Sequence, residues 1–357
     1  MTQIDGGESI IGPHDPILIT GATGFIGQRV TQNLINRGFR NLRCIARPSS
    51  DVTRLETMAR ERQDGTSIEV IRGNLLSHDD CARATRDVAV VIHLAAARGE
   101  KSFPDAFMNS VVTTRNLLEA VAGKSHLRRF VNISSFAVYT NRLKPRRNLL
   151  DESCPVESRP DLRGDAYCFA KVKQDDIVLE YGRERGVPHV IVRPGYVYGP
   201  GNEAITSRVG IGTFGIFLHL GGGNTIPLTF VDNCVEAIVL AALRPGVDGE
   251  VFNVVDDDLP SSRRFLRLYK RNVRSFRSIY LPKALSYGLS ALWESYSTWS
   301  KGQLPPAYNR RGWYANWKKT GYSNDKLKRR LGWAPVVSTA DAFERYFQSC
   351  RERVRHA

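Results

Sequence analysis

Eight consecutive residues, Thr20-Gly21-Ala22-Thr23-Gly24-Phe25-Ile26-Gly27, constrain this chain more than any other stretch. They follow a short apolar run, Ile17-Leu18-Ile19, and open an apolar-periodic segment from Phe25 to Asn36 that stops before Gly38. A strand, a tight turn and a helix in that order aim the free N–H donors and partial positive charge of a helix N-terminus at the turn. Gly21 permits the turn, Gly24 lets backbone approach a pyrophosphate, and Gly27 lets the helix pack close to the strand. The strand before and the helix after distinguish a phosphate loop from a chance glycine triplet.

The alternation continues downstream. Strands are predicted at Leu42 to Ala46, Ile68 to Ile71, Val88 to His93, Phe130 to Ile133 and His189 to Val192. Helices fall at Asp79 to Thr85, Asp105 to Ala122 and Ala166 to Arg185. Strands separated by helices make parallel βαβ units, hence an α/β fold with a doubly wound parallel sheet. A helix at Val231 to Leu243 and a strand at Val251 to Val254 follow. Residues 195–229 are Gly-rich and read as a mobile lining, and 260–350 as helical and aromatic, with all five tryptophans. The expected organisation is a loose polar tail over 1–15 and a nucleotide-binding unit over 16–194 plus 230–258. A smaller, mixed but mainly helical substrate lobe takes 195–229 plus 259–350.

Composition narrows the class. A chain of 357 residues with 42% hydrophobic and 24% charged side chains can build a sizeable core. No run reaches the ~18 apolar residues of a membrane span, and no basic-then-apolar leader opens the chain. Six scattered cysteines without a C-x-x-C pair argue against a zinc knuckle or a disulfide scaffold. The expectation is a cytoplasmic protein in a reducing compartment, without a metal site. The net charge of +15 attracts anions. With no recognition-helix, zinc-finger or aromatic RNA-binding signature, it reads as a solvated basic surface rather than a nucleic-acid interface.

The end of the second strand bears on cofactor charge. An acid there would bond an adenosine ribose hydroxyl, whereas an Arg can pair with a 2′-phosphate. The position is Arg47, with Asp51 the first acid after it, so NADP(H) is expected ahead of NAD(H). Tyr167 and Lys171 lie four apart, one helical turn on the same face. The ammonium and an oxidised nicotinamide favour the phenolate, which could take a proton from a secondary alcohol and return it to a carbonyl. Upstream, a strand ends in Ser134-Ser135. Ser135 could hold the substrate oxygen toward Tyr167, with Ser134 the alternative and a plain capping role open to both.

Together these residues resemble the extended short-chain dehydrogenases/reductases, the NAD-dependent epimerase/dehydratase family. T-G-x-x-G-x-x-G matches Thr20 to Gly27, H-x-A-A matches His93-Leu94-Ala95-Ala96, and R-P-x-x-V-Y-G-P matches Arg193 to Pro200. Phe230 to Asn233 resembles Y-V-D-D, and Leu331 to Pro335 resembles L-G-W-x-P. The resemblance implies a Rossmann fold and a catalytic tetrad of Asn109, Ser135, Tyr167 and Lys171. It implies cofactor contacts from Gly21, Thr23, Gly24, Phe25, Ile26, Gly27, Arg47, Asn74 and Leu75. Leu94, Ala95, Ala96, Lys171, Pro194 and Val197 complete that set. Substrate contacts are expected from Ser135, Tyr167, Tyr196 and Arg208, and relatives commonly form homodimers. The chain departs from the pattern at Thr113, where glycine is usual, and at Asn74 in Gly73-Asn74-Leu75, where an acid is usual. It departs again at Arg47.

The implied activity is reversible hydride transfer at a secondary alcohol or ketone. Phe136-Ala137 after Ser135 replaces the Asp-Glu pair of 4,6-dehydratases and argues against elimination. Arg208 and the cationic surplus suit a nucleotide sugar and its transient oxidation in an epimerase. GGGNTIPLTFV from Gly221 to Val231, and the stretch Leu281 to Trp299, resemble the 3β-hydroxysteroid-dehydrogenase-like branch and suit a net reductase of a hydrophobic ketone. The apolar face of Leu281 to Trp299 is expected to pack on the lobe, with peripheral membrane contact the other reading. A non-catalytic cofactor sensor is the third, and the presence of both Tyr167 and Lys171 opposes it.

Overall fold

The computed structural model describes residues 9–61, 65–97, 102–145, 148–300, 303 and 308–355. Its centre is a seven-stranded, wholly parallel sheet. From edge to edge the strands run Val251–Val254, His189–Pro194, Arg129–Ile133, Val90–His93, Ile17–Thr20, Asn41–Ala46 and Ser67–Arg72. The central four are buried at every residue, the near-continuous apolar pattern of strands covered on both faces. Ile17 pairs with Leu42 on one side and Val90 on the other. Strand order therefore reverses at Ile17–Thr20, opening a crevice at the carboxyl ends of the strands.

Two apolar clusters cover the faces. Helices Gly27–Asn36 and Val231–Leu243 supply Val30, Leu34, Val235 and Val239 to one. His78–Ala84, Thr113–Val121 and Ala166–Arg185 supply Cys81, Leu117 and Ile177 to the other. The last of these has the bounds read from the sequence because both ends are signalled. The Asp165 carboxylate accepts from Cys168 N–H at 3.0 Å, and Gly186 closes the helix in the left-handed region.

Four expectations need correction. Residues 9–15 are docked rather than loose: Ile10 N–H donates to Leu243 O at 2.9 Å and Ile11 is buried, because the apolar Ile10-Ile11 pair completes the core over the Val231–Leu243 helix. Residues 1–8 of the expected tail lie outside the described residues. The single helix predicted from Asp105 to Ala122 is three pieces: an α turn Phe103–Ala106, a π segment Phe107–Val112, then α-helix Thr113–Val121. Thr113 and Thr114 hydroxyls both donate back to Ser110 O, competing with the helical ladder at the junction.

The Gly-rich 195–229 stretch is built of short strands rather than a mobile lining. Gly210–Thr213, Ile216–His219 and Ser278–Tyr280 form one small sheet, and Tyr196–Tyr198 pairs with Leu228–Phe230. Glycine serves close approach here, since a Cβ at Gly210 would lie 2.1 Å from Leu218 O. Finally, helix Lys283–Trp299 turns its serines inward and its leucines to solvent, because its inward side meets the polar edge of Trp313. Helices Ser262–Asn272, Arg310–Trp317, Asp325–Leu331 and Thr339–Arg355 complete the C-terminal region.

Candidate active site

The glycine turn sits in the crevice and fits a dinucleotide. Gly21 has φ of 68°, and a Cβ there would press on Leu94 C and Ala95 N at 3.0 Å. A Cβ on Gly27 would lie 2.2 Å from Gly21 O, so the helix can begin this close to the turn only with glycine. No side chain caps the helix Gly27–Asn36; Gln28 N–H donates to Gly24 O and Arg29 N–H to Ile26 O, so the turn ahead of the helix, rather than the helix's own first turn, is the part open to a phosphate. A cleft of about 520 Å³ opens beside it. Gly21, Thr23, Gly24, Arg47, Asn74 and Leu75 line it from one side, and Leu94, Ala95 and Ala96 from the other. Ser50, Asp105, Asn109 and Thr113 also line it.

Other predicted cofactor residues stand elsewhere. Phe25, Ile26 and Gly27 are not among the residues that line the cleft, and the Phe25 ring packs on Gly201, which has no Cβ to meet it. Pro194 ends its strand, and Val197 pairs with Thr229 and packs into the core, so neither lines this cleft. The Asn74 carbonyl already accepts from Leu76 N–H at 3.0 Å, and its backbone N–H donates to Asp80. Arg47 is exposed on the rim. Arg72 fastens its loop by donating to the carbonyls of Arg47, Pro48 and Ser50, while Asp51 accepts from Thr53 N–H.

A chain of hydrogen bonds links the turn to the helix of Tyr167. Thr20 Oγ1 lies 2.8 Å from His93 Nδ1 and accepts from Ala95 N–H; His93 Nε2 lies 2.9 Å from Thr114 Oγ1, which accepts from Gln174. Burial, helped by the Lys171 charge, pushes the His93 pKa down to about 3, so the ring is a neutral strut. Lys171 is buried and donates to Ile133 O at 2.6 Å. Burial pushes its pKa down to about 8, against the opposing pull of Asp175. Tyr167, one turn earlier, is 37% exposed.

Ser134 and Ser135 separate by environment. Ser134 is buried and donates to Asp175 at 2.9 Å, whereas the half-buried Ser135 accepts from Ala137 N–H and keeps its own proton free to donate. Asn109 stands on the π segment, its amide donating to Asp105 O at 2.9 Å. Sequence reading passed over Asp175. This carboxylate, one turn after Lys171, is buried and accepts from Asn132, Ser134 and both Nε and Nη2 of Arg193. Arg193 also donates to Tyr139 Oη, which donates to Asn253 on the edge strand. The i, i+4 spacing after Lys171 was the available signal.

A second cavity, about 690 Å³, opens at Tyr167. Phe103, Ile211, Trp313 and Trp317 line it, with Arg163, Asn309 and Asn316 as polar points. The short helix Phe103–Ala106 divides the two cavities, since Phe103 faces this one and Asp105 faces the glycine cleft. Trp313 and Trp317 fall in the stretch expected to form the substrate lobe, although the sequence singles out neither as a contact. Tyr196 and Arg208, both predicted to touch substrate, are outside the lining. Tyr196 Oη donates to Ala204 O, and Arg208 donates to Ala315 O and Tyr322 Oη, because each finds a closer acceptor in its own region. Arg208 has no carboxylate partner among the described residues, and burial lowers its pKa.

Known proteins are similar to this chain over most of its length. Among curated proteins, a trifunctional UDP-glucose 4,6-dehydratase/UDP-4-keto-6-deoxy-D-glucose 3,5-epimerase/UDP-4-keto-L-rhamnose-reductase of Arabidopsis thaliana is 27% identical over 256 residues, 67% of this chain. The chain spans only 36% of that relative's length. GDP-mannose 3,5-epimerase 1 of Oryza sativa subsp. indica is 25% identical over 354 residues, 95% of this chain and 82% of the relative. Among solved structures, UDP-glucuronic acid 4-epimerase from Bacillus cereus, in complex with UDP-glucuronic acid and NAD, has the same fold. It superposes with a TM-score of 0.69 at 21% identity, covering 95% of this chain and 99% of that one. MoeE5 in complex with UDP-glucose and NAD gives 0.67 at 20%, covering 95% and 99%. A model described as the NAD dependent epimerase/dehydratase family matches residues 17–254, two thirds of the length, and the chain belongs to that family.

Proposed function

We propose that the protein transfers hydride reversibly at a secondary alcohol or ketone of a nucleotide sugar, with Tyr167 as the acid/base and NADP(H) as the preferred cofactor. The observation that carries this reading is Tyr167 at the wall of a cavity that one short helix separates from the glycine cleft, with buried Lys171 one turn behind it. NAD(P), when bound, supplies the hydride acceptor and donor. Tyr167 Oη takes the alcohol proton in one direction and returns it to the carbonyl in the other. The Lys171 ammonium stabilises the phenolate between those events, and the Ser135 hydroxyl donates to the substrate oxygen. Asn109 and Thr113 shape the wall between cofactor and substrate.

Two observations support a nucleotide sugar: the curated relatives act on such compounds, and Trp313 and Trp317 line the cavity at Tyr167 with aromatic rings of the kind that pack on a base or sugar. Arg47 on the cleft rim, with Asp51 turned to Thr53, supports a 2′-phosphate, although the solved neighbours carry NAD. The aromatic lining also suits a hydrophobic ketone, reduced with net consumption of cofactor. Incubation of the purified protein with sugar nucleotides, and separately with hydrophobic ketones plus NADPH, tells these apart. Epimer formation without net NADPH loss marks the first reading, and loss of nicotinamide absorbance with ketones marks the second. Tyr167→Phe is expected to lower kcat/KM at least ~10²-fold with cofactor affinity unchanged. Near-normal turnover in that variant would refute the acid/base assignment.

A further inference from the structure

The helix Lys283–Trp299 is built inside out. Leu285, Leu289, Leu292, Tyr296 and Trp299 recur at alternating spacings of four and three, which puts them on one stripe. That stripe meets solvent: Leu292 is 68% exposed and Trp299 75%. The opposite side carries the buried Ser286, Ser290 and Ser297. Ser286 Oγ accepts from Trp313 Nε1 at 3.0 Å, so rotating the leucines inward would break a buried hydrogen bond. Ile279 and Tyr280, in the strand leading into this helix, are exposed as well.

Charge adjoins the stripe. Between Asp258 and Glu294 the chain has no carboxylate, yet seven Lys and Arg lie between Arg263 and Arg277, and Lys283 follows. Arg263, Arg264, Arg267, Arg271, Arg274 and Arg277 are exposed. Of these, only Arg264 has an acidic partner among the described residues, Asp258 at 3.7 Å. The Arg263 guanidinium lies 5.5 Å over the Tyr280 ring, which joins the charged segment to the apolar one.

We propose that this face docks the protein on an anionic phospholipid bilayer. The Leu285–Trp299 stripe enters the headgroup boundary while the arginines between 263 and 277 meet lipid phosphates and carboxylates. Tyr296 and Trp299 are stacked at 5.7 Å at one end of the stripe, and such rings suit the membrane–water boundary. Among the described residues no helix is long and apolar enough to cross a membrane, so attachment is in the plane. Charge complementarity selects lipid over a second copy of the chain. Two such faces would bring like charges together, whereas an anionic leaflet neutralises them. Ser290, on the inward side of the same helix, lines the cavity at Tyr167, which puts that cavity about 10 Å, one helix diameter, from the bilayer.

The test is co-sedimentation of the full chain with phosphatidylcholine vesicles, plain or carrying about 30% phosphatidylserine. Binding is expected only with phosphatidylserine, and it should weaken at least ~10-fold near 0.5 M salt. Leu292→Asp with Trp299→Ser, and separately Arg267→Glu with Arg271→Glu, should each weaken it at least ~10-fold. Melting temperature and cofactor affinity should stay at wild-type values in both, since all four residues are exposed. Binding indifferent to phosphatidylserine, or unchanged in these variants, overturns the proposal. So does self-association in sedimentation velocity that Leu292→Asp abolishes without any vesicle binding, which would assign the face to a second copy.

Discussion

Lys171 carries two opposed demands. Its ammonium must stand beside Tyr167, yet its side chain is buried and its charge has left water, with Ile133 O and the field of Asp175 as partial compensation. The lysine pKa falls from 10.5 to about 8. Because this base has a lower pKa folded than unfolded, the unfolded chain binds the extra proton, and the penalty is full below about pH 8. It is relieved as pH rises from 8 toward 10.5, and at neutral pH it amounts to about 3 kcal/mol. Lys171→Met removes the penalty together with the function. The difference in unfolding free energy, variant minus wild type, should therefore shrink by about 3 kcal/mol between pH 7 and 10.5, while turnover is lost throughout. Urea denaturation of both proteins across that range checks it. A pH-independent difference would mean that Lys171 has the same pKa in the folded and unfolded chain, so that burial does not penalise its charge.

At the scale of elements, what was legible followed from local chemistry. The helix Ala166–Arg185 carries its own cap at Asp165 and its own stop at Gly186, and the buried strands are apolar at nearly every position. The π segment Phe107–Val112 was not legible, because one extra residue per turn leaves the apolar periodicity almost unchanged. Nor were the strands of 196–230, whose glycines answer to neighbouring backbone rather than to alternation. The site divides the same way. Tyr167 and Lys171 were readable from their spacing, whereas Asp175 and Arg193 meet only because helix and strand pack together. The loop after the second strand is readable in both terms. Arg72 ties down three of its carbonyls, so Arg47 is presented by a fixed backbone. Wild-type protein should bind NADP(H) at least ~10-fold more tightly than NAD(H), and Arg47→Asp should reverse that order. Calorimetry that finds equal affinities in the wild type removes the argument.

Across the whole molecule, the cavity at Tyr167 belongs to neither half. The parallel-sheet region supplies Tyr167, Arg163 and Phe103, and the C-terminal region supplies Ile211, Asn309, Trp313 and Trp317. The halves are pinned where Asn309 donates to Arg163 O at 2.7 Å and Asn141 donates to Tyr314 O at 2.7 Å. A ligand in this cavity must therefore touch both. Trp313 and Trp317 are buried there, Trp317 with its indole N–H on Ser207 O, so their emission reports that contact directly. Addition of a sugar nucleotide to cofactor-saturated protein should change tryptophan fluorescence saturably. Tyr167→Phe should keep the full response, because it removes a proton donor and leaves the walls in place. Trp317→Phe should lose about half of it and bind less tightly, by up to ~10-fold, since a smaller ring fills the same recess. Fluorescence blind to a ligand that calorimetry shows to bind would put the substrate outside this cavity, and with it the role of the C-terminal region in recognition.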